Sequence, residues 1–302
     1  MQKEQKILVL VGPTASGKSA LGVQLGRKFN GEVISADSRQ VYRGLDIGTG
    51  KITKRETKGV PHHLLDIASP RRKFTAGDFV SKGRQAIDMI YHINKLPILV
   101  GGTGFYIDAL VGRIGLPDVS PNTKLRSRLQ KKSTEQLFAL LEKKDPKRAK
   151  LMSTPSERNN KVRLIRALEI IMSVGSVRST EVQPRYDVLW IGLRPPLDTL
   201  DKKIRTRLGA RIRSGMVQEA RRMRKQGLSL RRMRELGLEY RSLADLLERK
   251  VTKKEFEEKL YRDIRRYSRK QIGYWKRNKD IEWFDPKQAR KIEATIRAWL
   301  RK

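Results

Sequence analysis

Gly12-Pro13-Thr14-Ala15-Ser16-Gly17-Lys18-Ser19 follows the apolar run Ile7 to Val11 and precedes a helical spacing through Leu21 and Leu25. The octapeptide matches G-x-x-x-x-G-K-[ST] in the strand-loop-helix setting that motif requires. Its glycines let the backbone curl, so that successive N–H groups and a helix N-terminus face an anion. Lys18 adds a point charge, and the Ser19 hydroxyl is of the type that ligates Mg²⁺. A polyphosphate site is expected over Gly12–Ser19, and the loop alone does not say which polyphosphate.

Outward from this loop the pattern repeats. A second apolar run, Glu32 to Ala36, ends at Asp37, and a third, Pro97 to Val100, enters Gly101-Gly102-Thr103-Gly104. Three such units predict an α/β fold, a P-loop NTPase-like parallel sheet flanked by helices with ligands at its carboxyl edge. From about Pro117 to Arg185 the apolar positions fall at helical spacing instead, as at Leu125, Leu129, Leu137, Leu140 and Leu141 and again at Val162, Ile165, Leu168 and Ile171. That predicts a small inserted helical domain over 118–185, between a first core segment at 1–117 and a second at 186–302. The second segment opens with a strand, Val188 to Leu193, a break at Pro195-Pro196, and a basic helix from Leu197 to Lys225.

The 302 residues carry 68 Lys and Arg against 32 Asp and Glu, a formal charge of +36. An excess of this size favours a polyanionic partner, because each neutralised phosphate releases condensed counterions. Between Lys202 and Arg234 there are 13 basic residues and one acid, Glu219. Lys259 to Lys279 interleaves Tyr261, Tyr267, Tyr274 and Trp275 with Lys and Arg, which suits base stacking beside phosphate contacts or, equally, aromatics turned to a core. The absence of cysteine excludes disulfides, thiolate metal sites and a cysteine nucleophile. It also suits a reducing cytoplasm. No opening signal stretch and no membrane-length apolar run is seen, so a soluble, cytoplasmic protein is expected.

Asp37 ends the second strand, where a carboxylate can face a ligand, hold Mg²⁺ or cap a turn. Thr103 can offer a hydroxyl to a phosphate oxygen or simply close a turn. His62 and His63 read as structural, since three histidines and no cysteine make a poor zinc ligand set. Asp46 is open between loop ordering and ligand contact.

Taken in order, the phosphate loop, Ile34-Ser35-Ala36-Asp37-Ser38-Arg39-Gln40-Val41-Tyr42-Arg43-Gly44, Asp46-Ile47-Gly48-Thr49, Val60-Pro61-His62-His63-Leu64-Leu65-Asp66, Val100-Gly101-Gly102-Thr103-Gly104-Phe105-Tyr106, Arg163-Leu164-Ile165-Arg166-Ala167-Leu168-Glu169 and Arg269-Lys270-Gln271 resemble the tRNA dimethylallyltransferase (isopentenyltransferase) family. The resemblance runs from about Ile7 to Phe284. It implies transfer of a dimethylallyl group from its pyrophosphate to N6 of the adenosine 3′ of the anticodon, in tRNAs reading codons that begin with U. Asp37 would be the base; Lys18, Thr103, Arg207 and Mg²⁺ at Ser19 would stabilise the leaving pyrophosphate. Asp37, Ser38, Arg39, Gln40 and Thr103 would meet the target nucleotide. Arg126 and Val162, Arg163, Leu164, Ile165 and Arg166 would meet the tRNA anticodon stem-loop. A monomer is implied.

Some positions depart from the family pattern. Gly50-Lys51-Ile52 stands for Ala-Lys-Pro, Asn160 for Asp, Val162 for a polar or basic residue, and Gly273-Tyr274-Trp275 for Thr-Trp-Phe. Three other functions fit parts of the sequence: an adenylate dimethylallyltransferase acting on free AMP, ADP or ATP, a small-molecule kinase, and a nucleic-acid-binding module with a vestigial phosphate loop.

Overall fold

The computed structural model describes residues 5–175 and 185–302. The first four residues, and 176–184 at the end of the predicted insert, lie outside the described residues. The chain divides into two compact units, Met1–Arg113 with Pro184–Lys302, and Ile114–Gln183.

In the first unit β1 (Gln5–Val11), β2 (Gly31–Ala36), β3 (His62–His63), β4 (Leu96–Gly101), β5 (Tyr186–Leu193) and β6 (Glu282–Phe284) form one sheet in the order β3-β2-β4-β1-β5-β6. All five pairings are parallel, with Leu8 opposite Ile98, Val33 opposite Ile98 and Ile7 opposite Val188. β2 and β4 are buried at every position. Helices cover both faces of such a sheet, so its strands read as unbroken apolar runs rather than as alternation. On one face Leu21 and Leu25 of the helix Lys18–Lys28 pack with Leu10, Val100, Ile292 and Trp299. Because the strands are parallel, the segments leaving β1, β2 and β4 all emerge at one edge, where ligands gather in open α/β sheets.

β3 and β6, two and three residues long, are too short for any periodicity to announce them. The long helix expected from Leu197 to Lys225 is two helices, Leu197–Arg213 and Met216–Lys225. They break at Ser214-Gly215, where Gly215 adopts φ 101°, a left-handed backbone that glycine takes without a Cβ penalty.

The second unit holds helices Thr123–Gln130, Thr134–Lys144, Pro146–Leu151, Pro155–Arg158 and Lys161–Val174 around Leu129, Leu137, Leu141, Leu164 and Leu168. Their starts are legible: Ser133 and Gln136 form a capping box, and Asp145 caps the helix that Pro146 opens. Asn160, in place of the customary Asp, accepts from the Arg163 amide at 3.2 Å, and asparagine caps a helix as well as aspartate does. Among the described residues no helix is long and apolar enough to cross a membrane.

Candidate active site

The loop after β1 wraps the mouth of a cavity of about 890 Å³ at the carboxyl edge of the sheet. A Cβ on Gly12 would lie 2.5 Å from the Leu193 carbonyl oxygen, so only glycine lets the loop turn this close to β5. Lys18, 9% exposed, folds back on the loop, its Nζ donating to the Pro13 carbonyl at 2.6 Å and to Ser16 Oγ at 3.4 Å. Burial first, then the positive charge of Arg207, push the Lys18 pKa down to about 7, while Asp37 pulls the other way. A desolvated ammonium beside a second cation gains from an anion.

Asp37 lines the same cavity, with Ser38, Arg39 and Gln40. One oxygen, Oδ1, accepts from the Arg39 amide at 2.8 Å and the Gln40 amide at 3.3 Å, which folds the segment into an Asx-type turn. Oδ2 accepts no hydrogen bond among the described residues. Thr103 is not part of the lining; its Oγ1 accepts from the Ser38 amide at 3.1 Å and its own amide donates to the Ala36 carbonyl at 3.2 Å. It therefore ties the segment after β4 to the segment after β2, and its hydroxyl proton is left to donate.

Arg207 reaches the cavity from the helix Leu197–Arg213, and its Nη2 donates to the Gly50 carbonyl at 2.8 Å. The side chain is solvent-exposed and lines a second cavity as well. Partial desolvation by the surrounding protein, and then the charge of Arg211, lower its pKa. Ser19, on the first turn of the helix Lys18–Lys28, is exposed to the same cavity. Among the described residues no group of three or more His, Cys, Asp or Glu could hold a metal. Ser19 offers a single hydroxyl oxygen, and Mg²⁺, which keeps several of its waters, suits a site with so few protein oxygens.

His63 Nε2 meets Glu32 Oε2 at 2.7 Å, and His62 Nδ1 meets the Val60 carbonyl at 2.8 Å. Asp46 pairs through its side chain with Lys51 at 2.6 Å, a loop-ordering contact. Among the aromatics of the basic patch, Trp275 is buried, Tyr261 lies under the Arg205 guanidinium, and Tyr274 donates to Asp108 Oδ2 at 2.6 Å. Tyr267 alone of the four lines the cavity.

In the helical unit, Leu164 and Ile165 are core residues with no face to offer a ligand. Val162 is 70% exposed, and Arg163 is exposed and paired with Glu157 at 3.0 Å. Arg126 and Arg166 both turn onto the fully buried Glu169 carboxylate. Arg126 donates to it from Nε at 2.7 Å and Nη2 at 2.6 Å, Arg166 from Nη1 at 2.5 Å, and the Asn122 amide at 2.7 Å. Both arginine side chains are a third exposed.

Gln271 is the site residue for which the sequence suggested no role. Its Oε1 accepts from the Thr14 amide at 2.8 Å and its Nε2 donates to the Gly102 carbonyl at 3.0 Å, so it bridges the phosphate loop and the segment after β4. The signal was present: in the helix Lys253–Trp275 the buried stripe Phe256, Leu260, Ile264, Ser268, Gln271, Trp275 turns polar at two positions. A polar residue on a core-facing stripe has a partner to find.

A family model described as IPP transferase matches residues 40–279. The chain is 37% identical over 296 residues to a tRNA dimethylallyltransferase of Thermomicrobium roseum, covering 95% of this chain and 88% of that protein. It is 35% identical over 307 residues to the tRNA dimethylallyltransferase of Lactobacillus helveticus, covering 98% and 99%. Among solved structures it resembles a tRNA isopentenylpyrophosphate transferase of Bacillus halodurans, with TM-score 0.73, 35% identity and coverage of 99% and 97%. A eukaryotic dimethylallyltransferase acting on tRNA shares the fold at TM-score 0.79 and 24% identity, over 93% of this chain and 74% of that one.

Proposed function

Since the chain belongs to the IPP transferase family of tRNA dimethylallyltransferases, we propose that its cavity is where dimethylallyl pyrophosphate meets an adenosine turned out of a tRNA anticodon loop. The observation that carries this reading is that one cavity is lined by both the phosphate loop with its desolvated Lys18 and the Asp37–Gln40 turn. An anion-holding half and a proton-accepting half face a common space. Transfer needs both.

The exocyclic N6 of adenine is a weak nucleophile, because its lone pair is delocalised into the ring. As N6 bonds to the allylic carbon, the carbon–oxygen bond to pyrophosphate breaks with its electron pair, and the N6 proton passes to Asp37. Asp37 Oδ1 is held by two amides, which fixes the carboxylate while Oδ2 receives the proton. The leaving pyrophosphate gains charge, which Lys18, the loop amides and Arg207 stabilise. Ser19 would hold Mg²⁺, which would supply further charge neutralisation there. Thr103 holds Ser38 and so the nucleotide-facing turn. A stacked anticodon base cannot present N6 to a carbon inside the cavity, so the nucleotide leaves its stack first. Arg163 and the other exposed basic residues of the helical unit serve the tRNA backbone. Arg126 and Arg166 do so through the third of their surface that Glu169 leaves open.

The reading is tested by giving the protein labelled dimethylallyl pyrophosphate and Mg²⁺ with either unmodified tRNA or AMP. Label should enter tRNA at the position 3′ of the anticodon and not AMP. Incorporation into AMP alone would reassign the acceptor, and no incorporation into either would leave the cavity without this chemistry. Size-exclusion chromatography is expected to give a monomer.

A further inference from the structure

Glu219 is the only acid between Lys202 and Arg234, and it is 1% exposed. Its carboxylate takes no cation among the described residues; four hydrogen-bond donors converge on it instead. Oε2 accepts from the Asp46 amide at 2.9 Å and the Ile47 amide at 2.8 Å. Oε1 accepts from the Gly48 amide at 2.8 Å and the Tyr240 hydroxyl at 2.6 Å. Burial, and then the charge of Glu219, raise the Tyr240 pKa, so the phenol keeps its proton to donate.

The same loop is held from its carbonyl side by Arg211, which donates to the Ile47 carbonyl at 2.7 Å and also to that of Gly48. No side chain fits at Gly48, where a Cβ would stand 2.6 Å from the Tyr240 oxygen. Two residues on, the Gly50 carbonyl accepts from Arg207 Nη2 at 2.8 Å and from Gln40 Nε2 at 3.4 Å. A chain of contacts thus runs from a buried carboxylate, through three consecutive amides, to a carbonyl that receives a guanidinium on the cavity wall.

We propose that Glu219 is a positioning residue for transfer: by gathering the Asp46, Ile47 and Gly48 amides it sets the place of the Gly50 carbonyl, and through it the Arg207 guanidinium that meets the leaving pyrophosphate. This rests on the role given to Arg207 above. The need for a carboxylate follows from the donor count. Each oxygen serves two donors, so an amide in its place would turn an NH₂ group toward N–H groups at equal side-chain volume.

The test is a double-mutant cycle with single-turnover kinetics. Glu219→Gln should lower the transfer rate about tenfold or more, since small misplacements of a charge-stabilising group are costly in rate, and leave the KM for tRNA near its original value. Combined with Arg207→Ala it should cause no further loss. Tyr240→Phe, which removes one donor of four, should give a smaller loss of the same kind, again absent when Arg207 is gone. Losses that multiply in the cycle, or a normal rate in Glu219→Gln, overturn the inference alone. A normal rate in Arg207→Ala overturns the role of Arg207 and this inference with it. If Glu219→Gln does not fold, the Tyr240→Phe cycle decides on the same terms.

Discussion

In the proposed reaction Lys18 and Asp37 carry the two halves of the chemistry, and each role has a measurable signature. The Lys18 pKa of about 7 lies far below the ordinary lysine value of 10.5. An ammonium that keeps its proton only below about 7 in the free site regains it when an anion restores its stabilisation. Pyrophosphate binding at about pH 8.5 is therefore expected to take up a proton through Lys18, and affinity to fall as pH rises above 7. Calorimetry in buffers of different ionisation heat should show this uptake in the original protein and its loss in Lys18→Met; the ligand's own protonation cancels in the difference. Asp37→Ala should lower kcat by about 10² or more, the usual scale for a general base, with donor affinity intact. If Asp37 held Mg²⁺ instead, donor affinity would drop and excess Mg²⁺ would restore part of it. Donor affinity measured across a Mg²⁺ series, in parallel with single-turnover transfer, separates the two.

At the scale of elements, the helix Lys161–Val174 depends on a buried charge. Burial pushes the Glu169 carboxyl up, but hydrogen bonds from Arg126, Arg166 and the Asn122 amide outweigh it and pull the pKa to about 2. A carboxyl whose folded pKa is depressed adds stability above its ordinary value of 4.5, and that stability is lost as pH falls through about 2. Glu169→Gln leaves two guanidiniums facing an amide and should cost about 3 kcal/mol at neutral pH. That is the low end for a broken buried pair, since both arginines are partly solvated. Thermal melts should show the loss at pH 7 and a flatter dependence between about pH 4.5 and 2 than in the original protein. The pair also explains why Arg126 and Arg166 offer less to a polyanion than their charge suggests: much of each guanidinium is already spent on Glu169.

For the whole molecule, a formal charge of +36 is an electrostatic statement about partners rather than about fold. Many of the basic side chains between Lys202 and Arg234 are exposed, Lys202, Lys203, Arg205 and Arg222 among them. Their gain on binding tRNA is counterion release, which raised salt removes. Affinity for tRNA is expected to fall at least about 10²-fold between about 50 and 200 mM salt, while affinity for AMP stays poor throughout. A flat plot of log K against log salt would remove the backbone reading of the charge.

What the sequence determined by itself was local or additive. Strands β1, β2, β4 and β5 were legible because a parallel sheet covered on both faces needs unbroken apolar runs. The phosphate loop was legible because its glycines, Lys18 and Ser19 act within one turn of chain. Net charge needs no fold at all. The tertiary structure decided everything that rests on residues far apart in the chain. Gln271 reaches Thr14 across 257 positions, and Glu219 reaches Asp46 across 173. Nothing in the composition of either neighbourhood announces the other. The lone acid in a basic stretch and the polar residue on an apolar stripe were visible as anomalies, but only the folded sheet shows which amides they meet. Hydrogen bonds are set by positions a few tenths of an ångström apart, and those positions exist only once the distant segments have packed.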